Sequence, residues 1–570
     1  MTTRRKFIQG LATIAACDVA DPGPDGERGN ERNRNADKKD DRPDIIFISI
    51  DDLNDWPTPF IGPKPTIDPL GVSTPNLDLL AQMGTVFQRA YCASPMCGPS
   101  RSATLTGLPP HVSGVTEQEN ILNPKIDEFG PLLQVPTTTL PRLLHGAGYR
   151  TFGAGKVFHG GGFANADQEF PDCAIEPDAS FDSCAWDHYE ILSRRVPEGA
   201  CAPDPGNGDI SDASRPCAAP FDLDTSMLPD ARVARFGLER LQTESTDEPM
   251  FLALGFFKPH KQWEAPQEFY DLYGDGTLVP LDAAVEKADQ DDLTLTGCAT
   301  LRDSRNSPPP DTWDTATRSA IRGYLACVSY VDSLVGAVVA AAAERERRAI
   351  IVLWSDHGYF MGEKRGWKKP TLYERATRVP LIIADTANPV AQSTHGMASL
   401  MDLLPTVLDY ADVADPLQHG VSLRPLVEDA NAPWAQTSVV STFNFQADLR
   451  RNAKQNFKPD AERCMKEQQV HACGPFVLAC PSHPSRLAGA SFALRTHRPN
   501  EEYRYVRYYD NDGFQLPGFS DDNGDPVAHE ELYDLAADPN ERVNLLAGEV
   551  TPELTALVDA LGDELDSKLA

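Results

Sequence analysis

Asp44-Ile45-Ile46-Phe47-Ile48-Ser49-Ile50-Asp51-Asp52 is apolar for almost its whole length and then stops on two carboxylates. A half-buried strand alternates polar and apolar residues, whereas a near-continuous β-branched run marks a strand buried on both faces. Working outward, residues 76–83 read as a helix, and 139–147 read as another that leads into a strand at 149–153. Residues 250–257 form a second buried-strand pattern, 315–347 a long helical one, and 350–354 the next strand. Strands alternating with helices predict an α/β fold, a large and mainly parallel sheet sandwiched by helices.

The residues that end these strands are unusual. Asp51 and Asp52 close the first, Lys156 and His159 follow the second, Lys258 and His260 the third, and Asp356 and His357 the fourth. In an open α/β sheet the ligand crevice lies outside the carboxyl ends of the strands, so four segments deliver charged or imidazole groups to one edge. Adjacent carboxylates repel, and a divalent cation compensates them; a solvated pair or a helix cap is the plainer alternative for Asp51-Asp52 alone. Asp356-His357 at another strand end favours the metal, and hard oxygen donors fit calcium better than zinc.

The stretch Cys97-Gly98-Pro99-Ser100-Arg101, continued by Ser102-Ala103-Thr104-Leu105-Thr106-Gly107, opens a helix. Pro99 suits a first turn, the free N–H groups there favour an anion at Cys97, and Arg101 adds a fixed cation. A buried or disulfide-bonded cysteine beside a capped helix is the alternative. Cys-x-Pro-Ser-Arg with a downstream Thr-Gly resembles the signature of the formylglycine-dependent (type I) sulfatases of the alkaline phosphatase superfamily. The resemblance implies conversion of Cys97 to formylglycine (3-oxoalanine), whose hydrated aldehyde attacks sulfate esters; one hydroxyl attacks sulfur and the other later expels sulfate. It implies that Asp51, Asp52, Asp356, His357 and the modified Cys97 hold Ca²⁺. Many members carry Asn at the position of His357, and the histidine resembles the iduronate-2-sulfatase and choline-sulfatase branches.

Gly155-Lys156-Val157-Phe158-His159 is similar to the family motif Gly-Lys-x-x-His, which implies that Lys156 binds sulfate and His159 orients or deprotonates the hydrate. Lys258-Pro259-His260 implies His260 as sulfate ligand or proton donor, a task its ordinary pKa suits, with Lys258 either assisting or structural. The basic loop 362–369 is similar to a Trp-x-Lys pattern, implying that Lys369 contacts the sulfate and bridging oxygen while Lys368 is solvated. Arg101, Lys156, His260, Lys369 and the metal would then form a preorganised cationic pocket for a sulfuryl group. Asp55, Thr104, Tyr373 and Glu374 are assigned to packing around it.

Composition bounds the rest. The 570 residues exceed one core, and a formal charge of −32 with no basic face argues against a nucleic-acid partner. Arg4-Arg5-Lys6-Phe7 followed by the apolar run 8–16 resembles a twin-arginine export signal too short to span a membrane, and Ile14-Ala15-Ala16-Cys17 resembles a lipobox that would leave Cys17 as a lipid anchor. The expected layout is an export signal at 1–17, a disordered tether at 18–42, a catalytic domain at 43–425 and a C-terminal subdomain at 426–570. Within that subdomain, strands at 438–444, 491–496 and 503–509 form an antiparallel sheet before a helix from Pro552. Residues 167–225 and 281–310 read as surface loops. The protein is expected in the periplasm or at the cell surface, where twelve cysteines fit an oxidising compartment. Cys173–Cys184, Cys201–Cys217 and a pair among Cys464, Cys473 and Cys480 are plausible disulfides, and Cys327 a buried thiol. Expected partners are a formylglycine-generating or anaerobic sulfatase-maturing enzyme and a sulfated small molecule or saccharide. Two other functions fit the same residues: a phosphonate monoester or phosphodiester hydrolase on this scaffold, and a non-catalytic glycan-binding lipoprotein with unmodified Cys97.

Overall fold

Strand β1 (Asp44–Ile50) is buried along its whole length, and its side chains divide between two cores. Ile46, Ile48 and Ile50 pack on one face of the sheet, Ile45 and Phe47 on the other. A pleated strand changes sides at every residue, so a run without polar interruption fills both faces at once. The computed structural model describes residues 40–60, 71–113, 115–116, 139–159, 185–190, 192, 218–221, 226, 228–274, 315–361, 367–444, 490–499, 501–509, 527–548 and 550–569.

Around β1 lie β2 (Gly84–Tyr91), β3 (Arg150–Gly155), β4 (His188–Glu190), β5 (Met250–Phe256), β6 (Ala349–Ser355), β7 (Leu381–Asp385) and β8 (Gln392–Ser399). They form one eight-stranded sheet in the order β8-β2-β7-β6-β1-β5-β3-β4. β1 pairs in parallel with β5 and β6, β3 in parallel with β5 and β4, and β8 in parallel with β2. Only β7 is reversed, antiparallel to β6 and β2. The expected mainly parallel α/β sheet is therefore present. β4 and the strand Ala218–Phe221 fall inside a stretch that the sequence marks as loop, because three or four residues are too few to show a period.

Helices α1 (Pro75–Ala81), α4 (Pro229–Thr243) and α5 (Thr315–Glu344) cover the first face. Helices α2 (Cys97–Thr106), α3 (Leu140–Gly146) and α6 (Leu403–Tyr410) cover the second. α5 is long and apolar enough to cross a membrane, but most of that stretch is buried inside the protein as the core helix of its layer.

A second sheet joins β9 (Ser438–Asn444), β10 (Ala490–Thr496), β11 (Tyr503–Tyr509) and β12 (Val527–Asp534), antiparallel in sequence order. On one face, Phe492, Leu494, Tyr505 and Leu532 receive Leu561, Leu565 and Leu569 of α7 (Pro552–Leu569). On the other, Phe443, Ala493, Val506 and Tyr508 pack on Met96 and Leu372. Met96 immediately precedes Cys97, so this sheet buttresses the start of α2. Cys92, Cys97 and Cys327 are buried free thiols, as expected for Cys327. The export signal, Cys17, most of the tether and the cysteines expected to pair lie outside the described residues.

Candidate active site

Because β1, β3, β5 and β6 run in parallel, their carboxyl ends meet at one edge, and α2 begins there with Cys97 as its first residue. The helix presents its positive end at that point. β3 and β5 converge unusually closely. Gly155 sits at φ +73°, and a Cβ there would meet the Gly255 carbonyl oxygen at 2.2 Å; one on Gly255 would lie 2.0 Å from the Lys156 carbonyl carbon. Two glycines thus let Lys156 swing in beside Asp51. The chain leaves β1 through Asp52 at φ +65°, a left-handed conformation rare for a residue other than glycine.

Cys97 Sγ lies 3.2 Å from His357 Nε2, 3.2 Å from Lys369 Nζ and 3.6 Å from Asp51 Oδ1. Lys156 Nζ donates to Asp51 Oδ2 and Lys369 Nζ to Asp52 Oδ1, each at 2.5 Å. His357 Nε2 is 3.5 Å from both Asp52 Oδ1 and Asp356 Oδ1, and the Asp52 amide donates to Asp356 Oδ1 at 3.2 Å. His260 Nε2 is 3.9 Å from Asp52 Oδ2, while its Nδ1 faces the Lys261 carbonyl at 2.8 Å. His159, just past β3, lies close enough to Cys97, Lys156 and Asp51 to feel their charges. All ten candidate residues therefore gather at one point.

Arg101 stands beside Asp51, with Nη2 3.7 Å from Asp51 Oδ1 and without a hydrogen-bond partner among the described residues. It is fully buried, donating to Asp356 Oδ2 at 2.9 Å, Ser49 Oγ at 3.2 Å and the Lys156 and Val157 carbonyls. It lies behind the carboxylates and ties three strand ends together. Lys258 donates to the Gln262 carbonyl, the structural alternative for that residue. Asp55 pairs with Arg375 and Arg378, Thr104 donates to the Ser100 carbonyl, and Glu374 reaches Tyr91 and Arg495, all supporting contacts. Ser49 and Ser100 escaped sequence reading as site residues. Ser49 alone interrupts the apolar run of β1, which was its signal, and Ser100 Oγ donates to the Asp356 carbonyl at 2.5 Å.

The electrostatics of the cluster are extreme. Burial pushes Asp356 up to about 7 against the pull of Arg101 and His357. Burial also opposes ionisation of Asp51, but Lys156, His260 and Arg101 overcome it and hold that carboxyl well below the usual range. The same contest at Cys97, burial against Lys156 and Lys369, ends with the thiol held well below its ordinary value. Burial pushes His260 down to about 4 and lowers His159. Asp51, Asp52 and Asp356 are buried side by side, and a cation among them would offset their mutual repulsion.

The donor set fits a hard divalent cation. Asp51, Cys97, Asp356 and His357 each offer an atom within 4.8 Å of the others, and Asp52, Cys97 and His260 form a second such group. His357 Nδ1 donates to the Gly358 carbonyl at 2.9 Å, which leaves Nε2 as the ring atom facing the carboxylates and the one a metal would take.

Residues 43–413 match the family model for sulfatases. The chain belongs to the sulfatase family. It is a sulfuric ester hydrolase. A sulfatase of Formosa agariphila is 31% identical over 537 residues, 90% of this chain and 85% of that one. Human iduronate 2-sulfatase is 27% identical over 355 residues, 59% of this chain and 58% of its own. Among solved structures, a protein captured with D-glucosamine-2-N,6-O-disulfate superposes with a TM-score of 0.58 at 18% identity, over 93% of this sulfatase and 98% of that chain. A phosphonate monoester hydrolase of Agrobacterium radiobacter gives 0.60 at 18% identity, over 92% and 95%. These two likenesses establish the shared fold of this sulfatase.

Proposed function

We propose that this sulfatase removes sulfate from sulfated sugars or polysaccharides, using a formylglycine made from Cys97 and a Ca²⁺ ion held by Asp51, Asp52, Asp356 and His357. The observation that carries the reading is the position of Cys97, within 3.2 Å of both an imidazole and an ammonium and beside Asp51. Such surroundings suit an oxygen nucleophile against a hard cation. When present, the formylglycine supplies a hydrated-aldehyde nucleophile and the ion Lewis-acid polarisation of the sulfuryl oxygens.

The protein groups do the remaining work. Lys156 and Lys369 place two ammonium charges beside the nucleophile, where they bind the sulfuryl oxygens and offset charge on the departing oxygen. His159, beside position 97, would take and return the nucleophile's proton. His260 faces the site through Nε2, beside Asp52, as a contact to the ester oxygen. Arg101 holds Asp356 and the Lys156 backbone in register beneath. The sugar preference is supported by a neighbour's glucosamine disulfate complex. Export by the Arg4-Arg5 signal, anchoring at Cys17 and a dedicated maturation enzyme belong to the same proposal.

Hydrolysis of an aryl sulfate and an aryl phosphonate by protein purified from its native host tests the reaction. The expected result is a higher kcat/KM for the sulfate, abolished by Cys97→Ala. A strong preference for the phosphonate would overturn the assignment, and full turnover by Cys97→Ala would overturn the nucleophile.

A further inference from the structure

We infer that Tyr324 is a positioning residue for the cation site: its hydroxyl holds the left-handed turn at Asp52 that aims neighbouring carboxylates into one pocket. The inference rests on the proposed Ca²⁺ site. Tyr324 lies within α5, is fully buried, and is remote in sequence from every site motif. Its Oη donates to the Asp52 carbonyl at 2.8 Å and accepts from the Asn54 amide at 2.9 Å. One oxygen thus satisfies backbone groups on both sides of the turn.

That turn has work to do. Asp51 and Asp52 are consecutive, and in an extended strand consecutive side chains point to opposite faces. A residue at φ +65° breaks this alternation, so that Asp51 Oδ1 approaches Cys97 Sγ while Asp52 Oδ1 approaches His357 Nε2. An aspartate in that left-handed conformation is disfavoured and persists only where its surroundings over-determine it. The Tyr324 hydroxyl supplies such a constraint, and the ring is itself fixed. It stacks on Tyr359 at 5.9 Å and meets Trp56 and Trp263 edge-on at 5.8 Å. Asn54 continues the brace, accepting from the Trp56 amide at 3.2 Å. The brace therefore runs from a core helix to the metal-binding turn without touching any ligand side chain.

The test is Ca²⁺ binding to calcium-depleted protein by isothermal titration calorimetry, comparing wild type, Tyr324→Phe and Cys327→Ala. Cys327 shares the helix but contacts the Glu264 carbonyl, so its variant reports general loosening of α5. Removing an outer support of a metal ligand typically weakens metal affinity ~10–100-fold. Tyr324→Phe is expected to lose about tenfold in Ca²⁺ affinity, with kcat restored at saturating Ca²⁺, while Cys327→Ala keeps wild-type affinity despite a lowered Tm. Equal affinity in wild type and Tyr324→Phe, or an equal loss in Cys327→Ala, would overturn the positioning role alone. A wild-type protein that binds no Ca²⁺ would instead overturn the proposed site and the inference with it. Should Tyr324→Phe fail to accumulate, hydrogen exchange of the 51–56 backbone in wild type decides. Protection rising with Ca²⁺ supports the brace, since coupling is reciprocal, and unchanged protection refutes it.

Discussion

At the residue scale, Arg101 shows how much a linear motif leaves open. Its place in Cys-x-Pro-Ser-Arg suggests a cation offered to sulfate; its guanidinium is enclosed, donating to Asp356, Ser49 and two backbone carbonyls, with Nη2 left without a hydrogen-bond partner among the described residues 3.7 Å from Asp51. A linear motif tells that a cation lies one turn from the nucleophile but not which way it points. Arg101→Met is therefore expected to cost stability as well as turnover. Leaving Asp356 without its partner in a dry pocket should lower the unfolding free energy by about 3–5 kcal/mol, read by denaturant titration. By contrast Lys156, Lys369, His159 and His260 meet at Cys97 as their motifs suggest, because each follows its strand closely or lies on a loop that returns to the same edge.

At the element scale, the site was legible because parallel strands must all end on one side. Apolar runs revealed β1, β5 and β6, the helical pattern before it revealed β3, and the charged residues after these strands then had one place to go. The support of those ends was not legible. Tyr324 sits in an apolar helix where a tyrosine reads as core, and its hydroxyl contacts are backbone groups about 270 residues away, which no spacing reveals. The glycines at the β3–β5 crossing were similarly silent until their contacts were visible. Gly255→Ala would press a methyl against the Lys156 carbonyl carbon, a backbone atom that cannot rotate aside. This change should destabilise by about 3 kcal/mol or more and displace Lys156, lowering both Tm and kcat/KM.

At the scale of the whole molecule, the second sheet behaves as part of the catalytic unit. Its strands pack on Met96, and an ionic network crosses the same interface: Arg89 with Glu502, and Arg495 with both Glu502 and Glu374. Three of its strands, at 438–444, 491–496 and 503–509, were legible in the sequence, the fourth at Val527–Asp534 was not, and neither was the docking face, since both faces carry aromatic residues. Burial raises the carboxyl pKa of Glu502, but Arg89 and Arg495 outweigh it and leave the value lowered. The unfolded chain then binds the proton more readily, so this stabilisation is full above the ordinary glutamate value and is lost as pH falls through the folded one. Glu502→Gln should cost roughly 1–2 kcal/mol at neutral pH, and its difference from wild type should shrink as pH falls below the ordinary glutamate range, followed by thermal unfolding across pH. The central claim concerns the whole matured enzyme, namely that the encoded cysteine is not the working nucleophile. The most direct measurement is the mass of the peptide containing Cys97, from protein made in its native host. Formylglycine predicts a residue in which oxygen has replaced sulfur and two hydrogens are gone; an intact thiol at position 97 in fully active protein would contradict the account.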